Sequence, residues 1–308
     1  KIDIKGAVVQ TPMKSEPVFM KIDPKISRYV IKLFPELEEM LEGDGCLYTQ
    51  LLKAMYGCIQ ASALWYALIK SFLVELGYEC SETDRCVFRK RVGNRIYLLL
   101  LYVDDILAQV DKQEAERLRV HLRNRFGEVQ FEVGEKLSYL GMQINVKDEG
   151  TTVDMSFYIK KLLEGTTVKG QASPGNHSSF IVDEESRLLE ECERKYFHST
   201  TAKLLYLAKQ ARPDILTLVI FLCTRVQYAS VQDKEKPERL LGYLMWTEEQ
   251  VLVLKPCVTG EVVAYVDAAY AIHNVSKSHT GVVIYVGDTL VYVSSKKQKC
   301  MSKSPTEA

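Results

Sequence analysis

The sequence predicts an α+β fold, and three observations carry the prediction. Residues 96–110 form an apolar run, two adjacent carboxylates and a second apolar run, short and rich in aliphatic and aromatic residues as buried strands are. Residues 58–76 place Trp65, Leu68, Ile69, Phe72 and Leu76 at helical spacing. From Val262 onward the pattern returns to strands, over 262–270, 281–286 and 289–294.

The chain begins with residues 1–9, which alternate at first like a strand and carry Asp3; 17–24, with two prolines, reads as loop and a short strand. A turn at Gly57 leads into the 58–76 helix, which ends at Gly77. In the 96–110 segment, Asp104 and Asp105 fall at the tight turn of a hairpin, where aspartate is favoured. One reading is that they merely cap backbone groups. The other is that two ionised side chains held together repel each other until a cation compensates, and a hard divalent ion bound through oxygen is the usual remedy.

Residues 111–126 predict a charged helix with Ala115, Leu118 and Leu122 on one side. Its Arg117, Arg119, Arg123 and Arg125 read as a solvated face, with contact to a nucleic-acid backbone as the alternative. A further helix starts at Tyr158, 170–179 is a linker by composition, and 184–247 is helical, with Pro213 near the first turn of one helix.

Composition narrows the classes. At 308 residues and 47% apolar content, two or three globular domains with real cores are expected. No apolar run approaches the ~18 residues that cross a bilayer, and no signal-peptide pattern opens the chain. The expectation is a cytoplasmic (virus-like particle) or nuclear protein with no membrane partner. Eight cysteines are scattered without a Cys-x-x-Cys pair, which argues against zinc and a disulfide framework. Net charge is zero, so phosphate contacts must come from local patches. The five histidines show no ligand spacing and read as surface or loop residues.

Tyr102-Val103-Asp104-Asp105 after an apolar strand resembles the polymerase signature of reverse transcriptases. Around it, Leu52-Lys53-Ala54-Met55-Tyr56-Gly57 through Trp65-Tyr66, Ser81 to Phe88, and Tyr139-Leu140-Gly141 to Ile144 resemble, in order, the blocks of copia-type (pseudovirus) LTR retrotransposon polymerases. Leu204 to Leu207, Arg212 to Ile215 and Tyr243-Leu244 resemble the region joining polymerase to RNase H in that family. Tyr265-x-Asp267-Ala268, Ser294 to Gln298 and Thr306-Glu307-Ala308 resemble the opening of its RNase H.

The resemblance implies a palm with partial fingers over 1–165, helical thumb and connection over 166–255, and a truncated RNase H-like mixed sheet over 256–308. It implies two Mg²⁺ ions, with Mn²⁺ as an alternative, at Asp3, Asp104, Asp105 and the Ile4 carbonyl. By the same resemblance, Val8, Gln60 and Tyr102 would meet the incoming dNTP. The cluster Arg85, Arg89, Lys90, Arg91 and Arg95 is the candidate contact to phosphates. Expected partners are an RNA template, a DNA primer-template and the rest of the Pol polyprotein. The expected reaction is RNA-directed DNA synthesis by two-metal nucleotidyl transfer to a primer 3′-hydroxyl.

Departures from the family pattern motivate an alternative. Val8 stands where an aromatic residue usually screens out the ribose 2′-hydroxyl, which predicts weakened sugar selectivity. Ile59 and Ser62-Ala63-Leu64 replace a lysine and Pro-Arg-Ala, removing two positive charges. The fingers strands would precede Lys1, and of the RNase H carboxylates only Asp267 and Glu307 are present, so that part is expected to be inactive. The chain reads as a fragment of a longer polyprotein. The alternative function is a degenerate or co-opted fragment that binds nucleic acid without polymerising.

Overall fold

The computed structural model describes residues 1–13, 17–257, 259–273 and 276–307. The chain divides into two units, Lys1–Val133 and Gly134–Ala308.

In the first unit, β1 (Ile2–Ile4) is followed by β2 (Phe19–Ile22), α1 (Pro24–Leu33), β3 (Leu47–Gln50), α2 (Ala61–Glu75), β4 (Glu79–Cys80), β5 (Val87–Val92), β6 (Arg95–Tyr102), β7 (Asp105–Gln109), α3 (Lys112–Phe126) and β8 (Val129–Phe131). Six of the strands form one sheet in the order β4-β5-β6-β7-β1-β8, all pairs antiparallel. Strand alternation divides this sheet into two faces. Ile2, Ile4, Phe88, Leu99, Leu101, Ile106 and Val129 are buried in one core with Trp65, Ile69 and Leu73 of α2 and Leu118, Leu122 and Phe126 of α3. Burying such a side chain contributes roughly 1.5–3 kcal/mol. The register then puts Asp3, Arg89, Arg91, Leu98, Leu100, Tyr102 and Asp105 on the opposite face.

Helix α1 corrects the reading of its segment as loop and strand. Asp23 caps it, accepting from the Lys25 amide at 2.9 Å, and Pro24 occupies the first turn, where its missing N–H costs nothing. The helix leaves Ile26, Tyr29 and Leu33 exposed. Helix α3 follows the sequence prediction closely: Asp111 accepts from the Glu114 amide, and Gly127 ends it at φ +76°.

The second unit opens with β9 (Lys136–Tyr139), β10 (Met142–Lys147), β11 (Gly150–Asp154) and α4 (Ser156–Leu163). Helices α5 (Glu191–Gln210), α6 (Leu216–Arg225) and α7 (Glu235–Trp246) come next, then β12 (Leu252–Leu254), β13 (Val262–His273), β14 (Lys277–Val286) and β15 (Thr289–Lys297). The sheets are β12-β11-β10-β9 and β13-β14-β15. A second apolar core joins α4 to α7, with Ile159, Leu204, Val219 and Leu240 fully buried. Arg212 is buried where α5 ends. It donates to both oxygens of Asp214 at 3.0 and 2.8 Å and to the carbonyl and hydroxyl of Thr247.

His273 and His279 are not surface residues. Each is 8% exposed, and His273 Nε2 lies 2.8 Å from His279 Nδ1, whose Nε2 is 2.6 Å from Ser295 Oγ. Histidine spacing in sequence does not register this pairing, which depends on β13 folding back against β14. Burial, and then the neighbouring His279, lowers His273 to a pKa of about 4, and burial lowers His279 as well.

Candidate active site

Strands β6 and β7 are joined by a two-residue turn, Val103–Asp104, with Tyr102 paired to Asp105. The turn thus lies one residue earlier than the sequence suggested, and Asp105 is a strand residue. Val103 has φ +54°, the left-handed region where glycine is the usual occupant and a β-branched residue is strained. Such a residue costs of order 1–3 kcal/mol and persists only where the surroundings over-determine it. Here both turn carbonyls are held from outside the hairpin. The Trp65 indole N–H donates to the Val103 carbonyl at 2.6 Å, and the Ile4 amide donates to the Asp104 carbonyl at 3.1 Å.

Asp3 and Asp105 face each other across β1 and β7, on the sheet face away from the helices. The lysines on either side of β1 compensate them. Lys5 Nζ lies 2.9 Å from Asp3 Oδ2, and Lys1 Nζ lies 3.3 Å from Asp105 Oδ1. The hydrogen bond and charge of Asp3 hold the Lys5 ammonium above its ordinary pKa. Asp105 Oδ1 is buried and accepts no hydrogen bond, since Lys1 pairs with it by charge without hydrogen-bond geometry. Asp104 sits in the turn itself. Among the described residues, no three His, Cys, Asp or Glu side chains converge closely enough to hold a metal. The donor set still fits a hard divalent cation, with carboxylate oxygens on one face and one buried oxygen lacking a bond.

The other predicted residues separate. Tyr102 is exposed beside Asp105, and Gln60 immediately precedes α2 without capping it by its side chain. Val8 is a correction: it is 3% exposed and packed in the core, so it presents no surface to a sugar, whereas its neighbour Val9 is exposed. The side chain of Ile4 is likewise buried.

The basic cluster splits by sheet face. Arg89 and Arg91 point to the face of Asp3 and Asp105, with Arg89 3.4 Å from Glu79. Arg95 pairs with Asp111 at 2.7 Å, and Arg85 and Arg91 are exposed without an ion pair among the described residues. Lys90 lies on the helix side, and its reading as a phosphate contact does not hold. Its Nζ is 2.6 Å from Glu114 Oε1 and 5.2 Å from the centre of the Tyr78 ring, and the Tyr78 hydroxyl donates to the same carboxylate oxygen. In the second unit, Asp267 is exposed on β13 opposite Gly281, and Glu307 accepts from the Lys303 amide. A cavity of about 890 Å³ in that unit, lined by Lys169, Lys236 and Arg239 among others, includes no predicted site residue.

Sequence reading missed Trp65 as a site residue, because helical spacing alone marks it as core. It also missed Lys1 and Lys5, although the alternation Lys1-Ile2-Asp3-Ile4-Lys5 places both on the face of Asp3.

The fold is that of reverse transcriptases. Over 97% of its length the chain superposes, with a TM-score of 0.50 and 11% identity, on 33% of a foamy viral protease–reverse transcriptase solved in complex with an RNA/DNA hybrid. The profile of the reverse transcriptase (RNA-dependent DNA polymerase) family matches residues 1–174, and the chain belongs to that family. It is 30% identical over 265 residues to the retrovirus-related Pol polyprotein from transposon RE1 of Arabidopsis thaliana, covering 84% of this chain and 18% of the relative. To the Pol polyprotein from transposon TNT 1-94 of Nicotiana tabacum it is 29% identical over 284 residues, 86% of this chain and 21% of the relative. The chain therefore spans about a fifth of the curated relatives it matches. The copia-type resemblance of the sequence blocks agrees with these relatives.

Proposed function

We propose that this chain is the polymerase portion of a copia-type retrotransposon Pol polyprotein and extends a DNA primer on an RNA or DNA template. The observation that carries the reading is the cross-strand pair Asp3–Asp105 beside the Asp104 turn, on an open sheet face, in a chain of the reverse transcriptase family. In this reading residues 1–165 belong to palm and fingers, 166–255 to thumb and connection, and 256–308 to an RNase H-like sheet.

Asp3, Asp104 and Asp105, with the Ile4 carbonyl, would hold divalent cations, Mg²⁺ in the first instance. Bound there, they would lower the pKa of a primer 3′-hydroxyl and neutralise triphosphate charge. The protein's own contribution is orientation. Asp3 and Asp105 are fixed by strand register, and Lys1 and Lys5 offset their repulsion until substrate arrives. Arg89 and Arg91, on the same face, are the candidate contacts to backbone phosphate, blind to sequence and sensitive to salt.

The test is primer extension on an RNA template with Mg²⁺ and dNTPs, wild type beside Asp104→Asn. Extension that vanishes in the variant is the expected result, and extension that survives it would refute the assignment. A second reading, nucleic-acid binding without polymerisation, is favoured by the ion pairing of Asp3 and Asp105 with lysines. It predicts duplex binding that Asp104→Asn leaves unchanged, with no extension by either protein.

A further inference from the structure

Trp65 is 1% exposed, in the second turn of α2, and its ring meets Phe126 edge-on at 5.4 Å, while Phe126 meets Phe72 in the same way at 5.2 Å. Packing alone asks only for a large apolar ring at this position. The indole, however, aims its N–H out of that cluster at the carbonyl of Val103, at 2.6 Å. Val103 is the strained residue of the turn, and its side chain is not what holds it there, being 44% exposed. The next carbonyl, that of Asp104, accepts from the Ile4 amide in β1, the strand that carries Asp3.

We infer that Trp65 is a positioning residue for the carboxylate turn: its indole N–H holds Val103 in the left-handed conformation and so sets Asp104 and Asp105 in register with Asp3. The functional consequence rests on the polymerase reading above; the tether itself does not. Removing the N–H leaves a β-branched residue in a conformation it disfavours, with one fewer bond to keep it there. The turn then relaxes, the Asp104 carbonyl leaves the Ile4 amide, and the three carboxylates lose their common frame. Glycine at position 103 adopts positive φ without strain and needs no tether.

Hydrogen exchange of the Ile4 amide reads the tether without calling on activity. The comparison is wild type, Trp65→Phe, and Trp65→Phe with Val103→Gly. A version in which both tryptophans are replaced biosynthetically by benzothienylalanine, which keeps the ring shape and lacks the donor, serves if Trp65→Phe does not fold. Trp246, the other tryptophan, is 70% exposed. Expected are an indole N–H of Trp65 protected from exchange in the wild type, Ile4 exchange at least tenfold faster without the donor, and recovery on adding Val103→Gly. Mn²⁺ affinity and primer-extension kcat should fall and recover in parallel. Unchanged Ile4 exchange without the donor, or loss that Val103→Gly fails to restore, would reduce Trp65 to core packing. If the wild type extends no primer while the exchange pattern holds, the polymerase reading fails and the tether stands.

Discussion

Replacing Lys90 by methionine separates a structural charge from a nucleic-acid contact. Lys90 and Glu114 have side chains 11% and 8% exposed, and their charged atoms are 2.6 Å apart. The variant keeps the length of the side chain and its packing over Tyr78, but leaves Glu114 with the Tyr78 hydroxyl at 3.0 Å and Arg117 at 3.4 Å. Breaking a buried pair from one side costs about 3–5 kcal/mol. Because Arg117, itself 41% exposed, remains nearby, about 2–4 kcal/mol is expected here. With a urea slope of about 2 kcal/mol/M, the unfolding midpoint should fall by about 1–2 M. Adding Glu114→Gln should restore most of it, since no uncompensated charge then remains. Arg91→Ala, on the opposite face, should leave the midpoint unchanged and lower the salt dependence of duplex binding by about one contact. Urea titrations followed by circular dichroism, beside duplex binding at several salt concentrations, decide the matter. A Lys90→Met protein as stable as wild type but weaker on duplex would refute the assignment of Lys90 to the helix side.

Three further outcomes are expected. In Val8→Phe, the added ring enters a filled core, so stability should drop by about 1–3 kcal/mol, read as a midpoint shift, with no sharpening of the choice between dNTPs and rNTPs. In Gly242→Ala, an added Cβ would stand 2.1 Å from the Lys169 carbonyl oxygen, a backbone atom that cannot turn aside, and thermal unfolding should show a loss of about 3 kcal/mol or more. The third concerns pH: His273 and His279 are held neutral in the fold, so the unfolded chain binds more protons as pH falls below 6.5. Stability is therefore full above about pH 6.5 and declines towards pH 4, and His273→Phe should flatten that part of the Tm–pH profile.

The hairpin and α2 were legible in the sequence because the carboxylates interrupt a short apolar run at a single point, and because the apolar residues of α2 recur at helical spacing. Helix α1 was not, because Pro24 reads as a breaker until it is placed at the first turn, and because Ile26, Tyr29 and Leu33 of α1 remain exposed. The turn at Val103–Asp104 could not be read, since aspartate suits such a turn better than a strained valine does. What holds that valine is an indole 38 residues earlier in the chain. Lys90 was grouped with four arginines by proximity in sequence. Only the pairing of β5 with β6 reveals that it shares the face of Phe88. The histidines depend on a fold-back that no spacing rule encodes.

The same sheet treats its charges in two ways, and the difference bears on function. On the helix side, Lys90 and Glu114 are desolvated and hydrogen-bonded, so removing either strands the other, and such a pair is fixed. On the open side, Asp3 and Asp105 stand as cross-strand neighbours, an arrangement that is repulsive unless compensated. Their partners Lys5 and Lys1 are 46% and 23% exposed. The Lys5–Asp3 contact is open to water and weak, so Lys5 is easily exchanged for another cation, while the Lys1–Asp105 pair is half-buried and holds by charge without a hydrogen bond. The backbone beneath them is the reverse, with each turn carbonyl tied to a separate element. A rigid frame under exchangeable charges is what a site needs if it is to hold geometry while its counter-ions come and go. A purely structural carboxylate pair would have no use for the strain at Val103.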